Sequence, residues 1–272
     1  MTASIDLETL RQTAHDAARR AGAVILASLD QPRHVHVKGP RDLVTDTDRA
    51  AQSAALALIR GRHPDHTILA EEDPSTHPAP GDAWMIPPGI VWAVDPVDGT
   101  TNFTTGLPFF CVSVGVALDG DPVAGAIYDP IRDEMFLGAR GLGVTVDGRP
   151  LSTPPPTGLI DAVVGVDWSH DESTRQLIAR SADVLVDRCQ SVRALGSSAL
   201  GLAYVAAGRL HAYLNYGLQP WDVAAGAAIL REVGLDLYSP DGAAWRFGEL
   251  AVIAGHAALV GDLVAAFGEA GL

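Results

Sequence analysis

The sequence predicts an α+β half followed by an α/β half, and two observations carry that division. Residues 67–146 contain a series of short apolar, strand-like runs with no long helical pattern between them. After Ser152-Thr-Pro-Pro-Pro-Thr-Gly158, the strongest linker signal in the chain, strands and helices alternate. The expected units are therefore residues 1–151 and 152–272.

The elements follow in order. Residues 6–29 read as a helix because Leu7, Leu10, Ala14, Ala17, Ala21, Val24 and Ile25 share one stripe. Residues 45–60 read as a second helix, with Thr45 and Asp48 in the spacing of a capping box. Strand-like runs come next at 67–70, 90–94, 111–118, 123–128, 135–137 and 143–146. Beyond the linker, strands are expected at 162–166, 191–194, 212–215 and 251–254. Helices are expected at 174–186, 197–207, 222–233 and 259–267. No internal repeat of solenoid length is present.

Composition excludes several classes. A chain of 272 residues that is 47% hydrophobic can bury a large core. A formal net charge of −14 without a basic face argues against a nucleic-acid partner, and makes bound cations necessary for any phosphorylated one. No apolar run reaches the roughly 18 residues of a membrane span. Asp6, Glu8, Arg11, Asp16 and Arg19 interrupt any leader-like segment, so a cytoplasmic protein is expected. Cys111 and Cys189 both sit in apolar surroundings and are expected as buried, reduced thiols.

Most of the chemistry is concentrated in Trp92-Ala-Val-Asp-Pro-Val-Asp-Gly-Thr-Thr-Asn-Phe103. Asp95 and Asp98 repel each other unless a cation lies between them, and carboxylate with carbonyl oxygen suits a hard divalent ion. Pro96 stiffens what reads as a loop, while Gly99 permits close backbone approach and Thr100 can open a helix whose N–H groups face an anion. Asp-Pro and Asp-Gly alone signal only turns. An EF-hand is excluded, since Val97 occupies a ligand position and Gly106 stands where the closing Glu belongs. Three distant segments add acids: 68–73 ends in Glu71-Glu72-Asp73, 42–48 holds Asp42, Asp46 and Asp48, and Pro220-Trp221-Asp222 opens a small-residue helix. Each has a plain alternative, as a solvated loop, a helix cap and a dipole-favoured acid respectively.

Together these four segments resemble the inositol monophosphatase family, among the lithium-sensitive, magnesium-dependent sugar and nucleotide phosphatases. The segments 193–201 and 206–213 look like that family's C-terminal stretches. The resemblance implies a layered α-β-α-β-α sandwich of the inositol monophosphatase and fructose-1,6-bisphosphatase type, often a homodimer. It implies two or three Mg²⁺ ions, with Glu71, Asp95 and the Val97 carbonyl holding one and Asp95, Asp98 and Asp222 another. A water oriented by Thr100 would lose its proton to Asp48, with Glu71 close by, and the N–H groups of Gly99 and Thr100 would receive phosphate oxygens. Arg193, Gly196, Ser198 and Asn215 are the further residues expected to bind substrate, Asn215 at the position that contacts sugar hydroxyls in inositol-specific relatives and Arg193 as the main basic candidate for a second phosphate. Inositol-specific relatives carry an acid at the Asn215 position, so strict inositol preference is not implied. The substrate class is a small phosphorylated sugar, polyol or amino alcohol. Histidinol phosphate, fructose 1,6-bisphosphate and 3′,5′-bisphosphonucleotides belong to sister branches, and some bacterial relatives bind the transcription machinery.

Other features are weaker. His34-Val-His36 puts two imidazoles on one strand face, and Lys38-Gly39-Pro40 resembles the family's mobile loop. Gly196-Ser197-Ser198-Ala199-Leu200 lacks the second glycine of a nucleophile elbow, and Gly141-Leu-Gly143 lacks the rest of a dinucleotide fingerprint.

Overall fold

A computed structural model describes residues 6–79, 82–152 and 158–272. Two helices, α1 (Leu7–Ser28) and α2 (Asp46–Arg62), flank a hairpin of β1 (Val35–Gly39) and β2 (Asp42–Thr45). A seven-stranded sheet follows: β3 (Thr67–Ala70), β4 (Ile90–Asp98), β5 (Cys111–Leu118), β6 (Asp121–Asp129), β7 (Glu134–Ala139), β8 (Gly143–Val146) and β9 (Arg149–Pro150), with a short helix α3 (Thr100–Thr105) after β4. Only the β3–β4 pair is parallel; the remainder is an antiparallel meander. The second half contains β10 (Val163–Val166), α4 (Glu172–Arg188), β11 (Ser191–Arg193), α5 (Ser198–Ala206), β12 (Ala212–Asn215), α6 (Pro220–Glu232), β13 (Asp236–Tyr238), β14 (Val252–Gly255) and α7 (Ala257–Glu269).

Alternation along the strands builds the layers, because successive side chains point to opposite faces. On β4, Trp92 and Val94 pack against α1 and α2, while Ala93 faces the opposite core with α5 and α6. On β12, Ala212 and Leu214 join the outer core with α4 and α7, and Tyr213 faces α5. The order is thus α1/α2, seven-stranded sheet, α5/α6, five-stranded sheet, α4/α7, the layered sandwich expected. Residues 153–157, most of the predicted linker, lie outside the described residues.

One expectation needs correction. The apolar run 90–94 ends at the first acid, yet β4 continues to Asp98 through a register shift between Asp95 and Asp98. Bulges tolerate proline, so the two aspartates sit on a strand rather than in a loop. The second sheet, ordered β11-β10-β12-β14-β13, is mixed: β14 runs antiparallel to both neighbours. The β1–β2 hairpin was foreshadowed only by the His34–His36 strand signal; Val35 and Val37 of β1 alternate with His36 and Lys38 but stay exposed.

Close approach of α6 to the seven-stranded sheet depends on glycine. Gly115 and Gly125 are cross-strand partners, and a Cβ on Gly125 would lie 2.5 Å from the Ala225 Cα and carbonyl oxygen. The small residues after Asp222 thus bring the helix against the sheet. Gly125→Ala is expected to cost about 1–3 kcal/mol, read as a lower unfolding midpoint; an unchanged midpoint would refute this contact. Among the described residues, no helix is long and apolar enough to cross a membrane.

Candidate active site

Carboxylates converge where β4 ends. Asp95, Asp98 and Asp222 each offer an oxygen within 4.8 Å of the others, the first two from the β4 bulge and the third from the first turn of α6. Asp95 and Asp98 are buried, 3% and 7% exposed, and no arginine or lysine among the described residues forms an ion pair with any of the three. Burial pushes the Asp95 carboxyl well above the usual range, and the charges of Glu71, Asp98 and Asp222 push it further. Asp222 is raised for the same reasons, burial first and Asp98 second, against the Gln219 N–H that it accepts at 2.7 Å. Such repulsion is what a bound cation relieves.

Glu71 follows β3 and stands beside this triad. One of its oxygens accepts from the Lys38 ammonium at 3.0 Å; the other is buried and has no hydrogen-bond partner among the described residues. Burial raises its pKa to about 7, opposed by Lys38 and reinforced by Glu72. Lys38, on the hairpin, also reaches Glu72 at 2.8 Å and Asp42 at 3.4 Å; burial works against its charge, but Glu71 and Glu72 raise its pKa. An orphaned carboxylate oxygen beside three crowded acids fits a hard divalent cation.

Asp98 is held differently. Burial raises its pKa, but Ser197 Oγ at 2.5 Å, Ser198 N at 3.1 Å, Ala199 N at 2.8 Å and the Cys111 thiol at 3.6 Å all donate to it. Both cysteines are free and buried, as expected. Asp95 accepts the Val97 N–H at 2.9 Å.

Asp48 and Thr100 are brought together. Thr45 caps α2 in the predicted capping box and donates both its N–H and its hydroxyl to one oxygen of Asp48. The other oxygen takes the Thr100 hydroxyl at 2.9 Å. Thr100 Oγ also lies 3.1 Å from the Val97 carbonyl. The helix cap and the catalytic reading of Asp48 are therefore compatible. Burial raises Asp48, which makes it a better proton acceptor than an exposed aspartate, while the Thr45 and Thr100 donors restrain the shift.

The alcohol-side residues divide. Gly196, Ser198 and Asn215 lie in one hydrogen-bonded network around the buried Tyr213 and Asp167: Tyr213 OH is 3.0 Å from Ser198 Oγ and 3.0 Å from Asp167 Oδ2, and Asn215 Nδ2 is 3.4 Å from Tyr213 OH. Gly196 N donates to Asp167 Oδ1 at 2.6 Å. Gly99, at φ 101°, turns the chain from β4 into α3 against the Gly196 carbonyl. Arg193 stays apart: exposed at the end of β11, it donates to Ser191 and Val192 of its own strand. His36 bonds Asp46 at 3.0 Å, so the histidine pair has an ordinary explanation.

Sequence reasoning missed Ser197, Asn102 and Asp167. Asn102 donates to the carbonyls of Phe109 and Leu195, each at 2.7 Å, and ties the 92–103 motif to the α5 turn. Asp167 had a usable signal, an apolar strand ending in an acid, the same pattern that singled out Glu71.

Comparisons with known proteins agree with this arrangement. The inositol monophosphatase family profile matches residues 6–270. Inositol monophosphatase 1 of Solanum lycopersicum is 39% identical over 240 residues, 87% of this chain and 86% of its own. Nus factor SuhB of Pasteurella multocida is 37% identical over 222 residues, 80% of each. The structure of an inositol monophosphatase from Anabaena (Nostoc) sp. PCC 7120 has a TM-score of 0.82 at 32% identity, over 97% of this chain and 96% of that one. With the profile spanning both halves and the sandwich shared, the chain belongs to the inositol monophosphatase family and is a phosphatase of that family.

Proposed function

We propose that the protein is a magnesium-dependent phosphomonoesterase acting on small sugar or polyol phosphates, inositol monophosphate foremost. The observation that carries this is the Asp95–Asp98–Asp222 triad, two of its members buried and the third half-buried, beside a Glu71 oxygen without a hydrogen-bond partner among the described residues. Glu71, Asp95, Asp98, Asp222 and the Val97 carbonyl would hold two or three Mg²⁺, which when bound activate water and offset charge on the attacking and leaving oxygens of an in-line displacement. Because the Thr100 hydrogen points to Asp48, its oxygen is free to accept a hydrogen bond from that water. The proton then passes through Thr100 to Asp48. Backbone N–H groups of Gly99 and Thr100 would orient the phosphate. A homodimer acting in the cytoplasm completes the proposal, on family resemblance alone.

Asn215 decides how selective the site is. Its carbonyl already accepts Gly217 N at 3.0 Å, so it offers the pocket less acceptor capacity than a carboxylate would. Hydrogen bonds to charged acceptors contribute roughly 1.5–3 kcal/mol, against about 1 for neutral ones. Modest discrimination among esters is the expected result of a phosphate-release screen over inositol 1-phosphate, glycerol 2-phosphate, histidinol phosphate, fructose 1,6-bisphosphate and a 3′,5′-bisphosphonucleotide. Release should require magnesium and fall with millimolar lithium; release that survives exhaustive chelation would refute the metal-dependent reading. Asn215→Glu is expected to raise kcat/KM for inositol 1-phosphate several-fold relative to glycerol 2-phosphate, and no change would assign the alcohol to another residue. The relative named a Nus factor supports a second reading, binding to the transcription machinery. Enrichment of polymerase with a catalytically silent variant would favour it.

A further inference from the structure

We propose that Asp167 is a positioning residue for Asp98, holding the turn that aims the α5 N-terminus at that carboxylate and tying it to the alcohol side of the pocket. This rests on the metal role of Asp98 proposed above.

Asp167 directly follows β10 and is 4% exposed. A buried acid without a basic partner is costly unless its oxygens are hydrogen-bonded. Here the oxygens are divided between two elements: Oδ1 takes the Gly196 N–H at 2.6 Å, and Oδ2 takes the Tyr213 hydroxyl at 3.0 Å. The Gly196 bond bears on the site. That residue has φ 75°, and a Cβ on it would lie 2.7 Å from Asn102 Nδ2. Asn102 holds the turn from the opposite side through the Leu195 carbonyl at 2.7 Å and the Gly196 carbonyl at 3.2 Å. The next three residues deliver the Ser197 hydroxyl and the Ser198 and Ala199 N–H groups to Asp98. Three of the donors to Asp98 thus come from a turn whose preceding peptide is pinned between Asp167 and Asn102.

The second oxygen reaches the alcohol side. Tyr213 has one hydroxyl hydrogen, and the carboxylate is its stronger acceptor. Ser198 Oγ and Asn215 Nδ2 are then left to donate to the Tyr213 oxygen. One carboxylate therefore orders both the support of Asp98 and the residues facing the ester's alcohol.

The test is Mn²⁺ binding to the full-length protein, followed by electron paramagnetic resonance, alongside steady-state kinetics with magnesium. Asp167→Leu, which keeps bulk but no acceptor, is expected to weaken Mn²⁺ roughly 10-fold or more, the scale of lost outer ligands. Its kcat should fall more than KM rises. Asp167→Asn keeps an oxygen for Gly196 N and should recover most of the Mn²⁺ affinity. Tyr213→Phe cuts only the second arm; it should bind Mn²⁺ as wild type does but change the ratio of kcat/KM between inositol 1-phosphate and glycerol 2-phosphate. Asp167→Leu binding Mn²⁺ within two-fold of wild type would overturn the proposal. So would failure of Asp167→Leu and Asp167→Ala to fold while Asp167→Asn folds, which would assign Asp167 to the core. Asp98→Asn separates the two readings. Wild-type Mn²⁺ binding in that variant would sink the metal site itself, whereas loss there with retention in Asp167→Leu would sink only this inference.

Discussion

Asp95→Asn is expected to reduce phosphate release by roughly 1000-fold or more while raising the unfolding midpoint of the chelator-treated protein. Losing one preorganised electrostatic group commonly costs about 10²–10³ in rate, and Asp95 would touch both cations. The amide keeps the oxygen that accepts Val97 N and replaces the other with a donor facing Glu71, Asp98 and Asp222. Without metal, a repelling buried charge is thereby exchanged for a neutral donor. Far-UV circular dichroism should be unchanged, and magnesium should stabilise the wild type but not the variant. Near-wild-type turnover, or a lower midpoint in chelator, would contradict the assignment.

The second large effect is on stability against pH. Glu71 rises from 4.5 to about 7 in the folded protein, and Asp95, Asp98 and Asp222 are also raised, burial being the leading cause in each. A carboxyl with a raised folded pKa binds more protons folded than unfolded at intermediate pH, so its contribution is complete below 4.5 and lost as pH rises through 7. For Glu71 alone the loss is on the order of 3 kcal/mol. The chelated protein should melt progressively earlier across that window, and divalent metal should restore most of the loss at the alkaline end. His63 and His66, lowered mainly by burial, act with the opposite sign below 6.5. They are common to wild type and Asp95→Asn, so the difference between the two melting profiles isolates Asp95 and its repulsion with Glu71, Asp98 and Asp222. A wild-type midpoint that stays flat or climbs relative to the variant would count against the crowded, metal-seeking site.

Much of the site was legible because its parts are local in sequence. Asp95, Val97, Asp98, Gly99 and Thr100 lie on one short motif, and Asp48 was marked by a capping box that the structure contains. Glu71 and Asp222 were visible as acids at the end of an apolar run and at the head of a small-residue helix. The hairpin was less legible because its first strand is short, and the alternation of Val35 and Val37 with His36 and Lys38 spans only four residues. The end of β4 was misplaced because the acids that serve the site also terminate the apolar pattern.

Pattern and motif alone were enough for the succession of strands and helices, the family and the set of candidate acids. Those follow from periodicity and from side-chain type, which are properties of neighbouring residues. Only the tertiary structure decided which acids share one site and which donors restrain them. It turned Arg193 back onto its own strand, brought Lys38 to Glu71, and placed Asp167 and Asn102 on either side of the turn that supports Asp98. The physical reason is reach. Hydrogen bonds and the repulsion between buried carboxylates act over a few ångströms, and residues far apart in the chain come that close only once α6 and the α5 turn are packed against the seven-stranded sheet.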